Sequence, residues 1–136
     1  MIDKEIIKIA SNTENHGMLD NHTHFSKLKN VICGDEMKVY LIIKNNKITN
    51  FKYECESCIY CQASVSLLSR KAKSKSIEKV KNFAEQAKNY FDKSSKSCDK
   101  EWKEFDMIMT KNNISRKECL LLPLNTTLDA LNKKSL

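Results

Sequence analysis

Cysteine and aspartate are the residues of this chain whose types and spacing could do chemistry. Cys33-Gly34-Asp35 sets a soft sulfur and a hard oxygen two residues apart, and Gly34 lets the backbone turn so that both can point at one ion. Cys58 follows in ECESCIYCQASVS, and Cys119 stands near the C-terminus in SRKECLLLPLNTTLDAL. The thiolate is the ligand and the nucleophile, so what matters is what lowers a thiol's pKa. Cys58 and Cys119 are each expected just before a helix, where the partial positive charge of the helix N-terminus favours thiolate. Three sulfurs and a carboxylate suit a four-coordinate zinc site, since zinc accepts both ligand types. On spacing alone, each of the three cysteines reads equally well as a buried or idle thiol.

Rival patterns surround Cys58. Cys55-x-x-Cys58-x-x-Cys61 looks like a fragment of a ferredoxin cluster motif, but Val65 and Ser66 stand where that motif needs a further cysteine and a proline. A zinc ribbon needs a second CxxC, which is absent, while a CxxC redox pair at a helix start stays open. Cys55 and Cys61 are balanced between a role and none, and Cys98 reads as an idle thiol. His16, His22 and His24 cluster in a polar N-terminal segment, where a surface position is the plainer account than a metal site. Ser64 and Ser66 have no His or Asp in a recognisable arrangement, which leaves serine nucleophile chemistry without support.

The bulk of the chain bounds what these residues can do. At 136 residues it is expected to form one domain, 1–136, with a modest core, and 40% hydrophobic content is globular rather than disordered. Two glycines and one proline leave little turn punctuation, which favours long helices. No apolar run approaches a membrane span and the N-terminus lacks a signal-peptide core, so a cytoplasmic location is expected. In a reducing cytosol six cysteines are poor disulfide candidates and better candidates for metal or thiol chemistry. The formal net charge of +7 comes from scattered lysines with no aromatic interleaving, which argues against nucleic acid.

The elements that must position the cysteines follow from periodicity. Ile2, Ile6, Ile9 and Ala10 predict a helix over 2–10, followed by a polar loop over 11–21. Residues 22–29 alternate weakly, as a first strand. Strands over 36–43 and 47–54 flank Lys44-Asn45-Asn46, where asparagine tolerates the left-handed backbone of a tight hairpin. From Tyr60 the period becomes helical, so Cys58 falls at a strand-to-helix junction. A further helix starts near Ser76 as N-cap, with a stripe of Ile77, Val80, Ala84, Ala87 and Phe91. A polar connector over 93–100 holds Cys98. Trp102, Phe105, Ile108 and Met109 suggest a short helix ended by Asn112 and Asn113. Pro123 is expected in the first turn of a last helix, which places that start at 120–122, just after Cys119. The fold class is α+β: a small antiparallel three-stranded sheet packed against about four or five helices.

At these residues the chain resembles the U-type iron–sulfur cluster assembly family, comprising IscU scaffolds, the N-terminal domain of NifU, and SufU. The family's NPxCGD corresponds to Asn30 through Asp35, and its FxGxGCxISxASxS to Tyr53 through Ser66 with Cys58 as the second cysteine. Its RxxCxxLxxxxLxxAL matches Arg116 through Leu131, with Cys119 third. EIIKIASNTENHGML is similar to the family's N-terminal helix and NPRNxG loop, so the likeness spans nearly the whole chain. It implies a SufU/IscU-like fold and Cys33, Asp35, Cys58 and Cys119 as metal ligands. The long gap from Cys58 to Cys119 resembles SufU rather than IscU. Scaffolds place histidine before the third cysteine, and Glu118 stands there instead, itself a candidate to approach the metal.

The SufU likeness implies a zinc-dependent sulfurtransferase that accepts persulfide sulfur from a SufS-type, PLP-dependent cysteine desulfurase and passes it to downstream cluster assembly proteins. It implies Cys33 as acceptor, with Cys58, Cys119 and Asp35 holding the zinc. The alternatives are a scaffold that assembles a transient [2Fe–2S] cluster on the same cysteines, and a zinc-stabilised interaction module. The chain departs from the family where Val31 replaces proline, Cys55 and Ser57 replace two glycines, and Cys61 replaces serine. Cys55 and Cys61 bracket Cys58 closely enough to serve as alternative ligands or sulfur relays.

Overall fold

The computed structural model describes residues 4–92 and 100–133. Cys98 and the connector around it lie outside the described residues. Among the described residues the chain forms α1 (Lys4–Ala10), β1 (His24–Lys29), β2 (Glu36–Lys44), β3 (Lys47–Glu56), α2 (Ile59–Ala72), α3 (Ile77–Asp92) and α4 (Lys117–Asn132). Two 3₁₀ segments, Lys100–Met107 and Lys111–Arg116, lead into α4. The strands form an antiparallel meander in the order β1-β2-β3, the α+β architecture expected from the sequence.

The hairpin is where local chemistry is plainest. Lys44 pairs with Lys47, leaving Asn45 and Asn46 as a two-residue turn with φ of 52° and 62°. Positive φ at both central residues is what a type I′ turn requires, and asparagine is among the few side chains that accept it. Alternation along the strands sends Met37, Val39 and Leu41 of β2 and Phe51 and Tyr53 of β3 into the core. There they meet Leu67 and Leu68 of α2 and Leu120 and Leu124 of α4. Each such large apolar side chain contributes about 1.5–3 kcal/mol on burial. Both helices pack on the sheet and on each other.

The N-terminal segment is fastened to this core. The loop after α1 runs beside β3, where Gly17 N–H donates to the Tyr53 carbonyl at 2.8 Å and Tyr53 N–H to that of Asn15 at 3.2 Å. Ser76 caps α3, its hydroxyl accepting from Lys79 N–H at 3.2 Å. Phe83 of α3 stacks on Trp102, with centroids 4.2 Å apart and rings 3° from parallel.

Two expectations change at the C-terminal end. Asn112 and Asn113 do not end a helix; they lie inside the second 3₁₀ segment, with a kink at Asn113. The last helix begins at Lys117, three residues before the expected start, so Cys119 sits within its first turn and Pro123 one turn further in. A proline there cannot supply the N–H that the Cys119 carbonyl would accept, and its ring crowds that carbonyl. The helix continues because its flank is buried and locally bonded: the Thr127 hydroxyl donates to the Pro123 carbonyl at 2.8 Å, and that of Ser64 to Leu120 at 2.6 Å. Among the described residues no helix is long and apolar enough to cross a membrane.

Candidate metal centre

Three separate segments converge at the end of the sheet opposite the Asn45–Asn46 turn. The first is the β1–β2 loop. Asn30 closes it twice through the backbone, donating to the Asp35 carbonyl at 2.8 Å and accepting from Gly34 at 2.7 Å. Its side-chain oxygen accepts from Ile32 N–H at 3.0 Å. Gly34 has a φ of 80° with nothing near where a Cβ would be, so glycine is needed for backbone conformation and not for space. The loop leaves Cys33 exposed and turns Asp35 inward, 7% exposed. At its tip Val31 and Ile32 stand 89% and 85% exposed.

The second segment is the junction of β3 and α2. Cys58 is the N-cap residue of α2, extended in backbone and with no side-chain capping bond, the place the change of period predicted. The third is the start of α4, which presents Cys119, 6% exposed. Arg116 lies over the Tyr60 ring at 5.2 Å, tying the start of α4 to that of α2.

The Cys33 and Cys119 sulfurs are 3.8 Å apart. Together with a carboxylate oxygen of Asp35, the ligand atoms all lie within 4.8 Å of one another. Cys58 falls outside that span, but its thiol is close enough to help push the Cys119 pKa up. Two sulfurs bound at about 2.3 Å to one tetrahedral metal stand about 3.8 Å apart. Asp35 Oδ2 is buried without a hydrogen-bond partner, a state that costs a carboxylate several kcal/mol unless a cation or donor meets it. The donor set and the orphaned oxygen both fit a thiophilic divalent ion held by Cys33, Asp35 and Cys119, with Cys58 beside them.

Burial dominates the electrostatics of the neighbouring thiols. It pushes the pKa of Cys119 far above the ordinary thiol value, and the Cys58 and Cys33 thiols push the same way. The expected helix-terminus effect on Cys119 is therefore outweighed in the metal-free site. Cys61, with no exposed surface, is raised likewise, chiefly by burial. Cys55 is also raised, first by burial and then by the Asp35 and Cys58 charges, against an opposing hydrogen bond from Ser57.

Other residues singled out in the sequence lie elsewhere. Glu118 is exposed and lines a groove with Glu85, Lys88 and Asn125 between α3 and α4, apart from the cysteine–aspartate group. His16 meets the edge of Tyr53 at 5.5 Å, His22 shares a hydrogen bond with the Leu19 carbonyl at 2.6 Å, and His24 pairs with the Thr23 hydroxyl at 2.9 Å. None of the three joins the group. The serines after Cys58 carry a structural role. Ser64 fastens α2 to α4 through Leu120, while Ser66 donates to the Asn12 carbonyl at 2.6 Å and fastens α2 to the N-terminal loop. Their spacing of two on one helix, reaching different neighbours, was the available signal.

Comparison with known proteins gives a consistent picture. The family model for the NifU-like N-terminal domain matches residues 1–99, which include Cys33, Asp35 and Cys58. A Thermotoga maritima protein named iron–sulfur cluster assembly scaffold protein IscU is 27% identical across 99% of this chain and 95% of its own length. Among solved structures, an N-terminal NifU-like protein of Brucella abortus superposes with a TM-score of 0.87 at 19% identity, covering 95% of this chain and 90% of its own. The putative iron–sulfur cluster assembly scaffold protein for the SUF system of Fervidobacterium islandicum gives 0.83 at 25% identity and 96% of both chains.

Proposed function

The chain belongs to the NifU-like N-terminal domain family, and from that premise we propose that it serves iron–sulfur cluster biogenesis as a zinc-dependent sulfurtransferase. The observation that carries this reading is the asymmetry of the site. One sulfur, Cys33, is exposed on a loop, and it lies 3.8 Å from a buried sulfur with an unpartnered carboxylate oxygen in the same group. A ligand on a loop closed by Asn30 can leave and return, while ligands on helix starts stay.

Cys33 is the acceptor. Its thiolate attacks the outer sulfur of a donor persulfide, R–S–SH; the donor's S–S bond breaks, R–S⁻ departs, and Cys33 is left as Cys33–S–SH. Asp35, Cys58 and Cys119 would be the residues that hold the ion. Bound zinc would keep its thiol ligands deprotonated at neutral pH. The donor is a PLP-dependent cysteine desulfurase of the SufS type, and the sulfur passes on to downstream cluster assembly proteins. Residues 1–136 act as one domain.

A second reading is favoured by the name of the Thermotoga maritima relative: a scaffold on which a [2Fe–2S] cluster, its cargo, assembles across the same cysteines. Elemental analysis of protein purified without air separates the two. About one zinc per chain without iron supports the sulfurtransferase, whereas iron with matching acid-labile sulfide supports the scaffold. Desulfurase turnover then tests the acceptor. Wild-type protein stimulates it and Cys33→Ala does not; equal stimulation by both would leave only a zinc-stabilised interaction module.

A further inference from the structure

We propose that the outer edge of β1 is where the sulfur donor docks: it pairs through its backbone with an extended, acidic segment of the donor and leads that segment's persulfide to Cys33. The inference deepens the sulfurtransferase reading and rests on it for the persulfide.

The sheet has two edges, and the chain ties down one of them at both ends. Tyr53 of β3 bonds the N-terminal loop through Asn15 and Gly17. Nearer the turn, Ile48 N–H donates to the Lys75 carbonyl at 3.0 Å, and the Ile48 carbonyl accepts from Ser74 N–H at 2.7 Å. The other edge is β1. Its register with β2 runs on into the loop, where Asn30 N–H donates to the Asp35 carbonyl. Residues of an antiparallel pair alternate between bonding across the ladder and pointing away from it. Counting back from Asn30, the N–H and C=O groups of Lys29, Lys27 and Phe25 point outward. The Phe25 carbonyl agrees with this sense, since it accepts from the Lys133 ammonium at 3.3 Å.

That contact, with the bond from the Ser26 hydroxyl to Asp129, lays the last turn of α4 over the first half of β1. The second half stays open. Among the described residues nothing pairs with the outward backbone groups of Lys27 and Lys29. Such an edge is a template for an added strand.

The side chains select the occupant. Lys27 and Lys29 are both exposed, and their spacing of two puts them on one face of the strand. Lys27 meets Glu36 at 3.6 Å, a solvent-exposed pair of little net worth that a new partner can replace. Lysines set opposite lysines repel, which turns away the same edge of a second copy. Opposite charges set directly across a ladder attract, so the strand that fits carries acidic residues at alternate positions. Beyond Lys29 stand Val31 and Ile32, 89% and 85% exposed, and then the exposed Cys33. A segment paired with Lys27 and Lys29 therefore runs on across an apolar pair to the acceptor thiol.

A fluorescein-labelled peptide, Glu-Val-Glu-Val-Gly-Ser-Cys, is the probe, and anisotropy reads its binding to reduced protein. Wild type binds it, and hydrogen exchange slows at the Lys27 and Lys29 amides. A Lys-Val-Lys-Val version binds more than about tenfold more weakly, and Lys27→Glu/Lys29→Glu reverses that preference. Lys29→Pro removes an outward N–H and leaves the β1–β2 ladder intact, because an edge strand tolerates proline on its open side. It binds roughly fivefold more weakly than Lys29→Ala. Unchanged exchange at Lys27 and Lys29, or equal affinities for Lys29→Pro and Lys29→Ala, would overturn the backbone pairing. Equal binding of the two peptides would overturn the acidic partner. The same peptide carrying a cysteine persulfide separates this inference from the reading beneath it. Protected amides without Cys33–S–SH by mass spectrometry would remove the sulfurtransferase and leave the docking edge, whereas Cys33–S–SH without protected amides would do the reverse.

Discussion

At the scale of single residues, the thiols around the site control how the fold responds to pH. Cys55, Cys61 and Cys119 all have pKa values raised by burial. Unfolded, the same thiols ionise at ordinary values, about 8.5. An acid held protonated by the fold contributes stability that is complete below that range and is lost as pH rises through it, because the unfolded chain sheds its protons first. Metal-free, reduced protein is therefore expected to show a falling thermal midpoint from pH 8 to pH 10. Under the proposed zinc reading, affinity for the ion should run the opposite way and rise with pH, since binding must expel the thiol protons. Thermal melts and zinc competition across that range check both signs. Gly34 poses a conformational question: at a φ of 80° with open space around it, Gly34→Ala should cost about 1–2 kcal/mol. For a chain of this size that lowers the melting temperature by roughly 4–8 °C.

At the scale of elements, what matters is how α2 and α4 are held so that Cys58 meets Cys119. Ser64 and Ser66 offer a matched comparison, each donating one 2.6 Å bond to a backbone carbonyl on a different neighbour. Ser64→Ala and Ser66→Ala should each destabilise the fold by about 1 kcal/mol, the net worth of such a bond. Only Ser64→Ala should also weaken zinc binding, because only Ser64 anchors the residue next to Cys119. Urea denaturation alongside zinc competition reads both effects; equal zinc affinity in the two variants would show that the Ser64 bond does not set the position of Cys119. Part of this arrangement was legible from the chain itself. The Asn45–Asn46 turn followed from left-handed tolerance, and the Cys58 junction from a period that changes from two to 3.6. The start of α4 was not legible. Pro123 is a rule for isolated helices, and here burial on both flanks and hydroxyls from Thr127 and Ser64 override it. Asn112 and Asn113 misled for the same kind of reason, since a 3₁₀ turn packed between α3 and α4 tolerates residues that would end a free helix.

At the scale of the whole molecule, the site draws on residues 33, 35 and 119, with 58 beside them, so an ion there links segments 86 residues apart in sequence. A ligand that binds only the folded chain stabilises it in proportion to its affinity, by about 2.7 kcal/mol at a hundredfold excess over Kd. Stripping zinc with a chelator should therefore lower the melting temperature by about 5–10 °C, and re-addition of zinc should restore it. Cys119→Ala should abolish the difference. The candidate residues could be gathered from the chain as a list, but not as a geometry. Spacing says nothing of which thiol lies exposed and which lies buried, and the proposed roles rest on that asymmetry.

Cys33 is the exposed cysteine among those described, and it stands directly behind the bare aliphatic pair Val31 and Ile32. Two molecules colliding tip to tip would gain by covering those side chains, and the collision brings the two Cys33 sulfurs together. In aerated buffer the expected product is a symmetric disulfide-linked dimer in which neither Cys33 is free to serve as the proposed ligand. Such a species on a sizing column records the storage of the sample. Quaternary structure is to be read only from protein kept reduced.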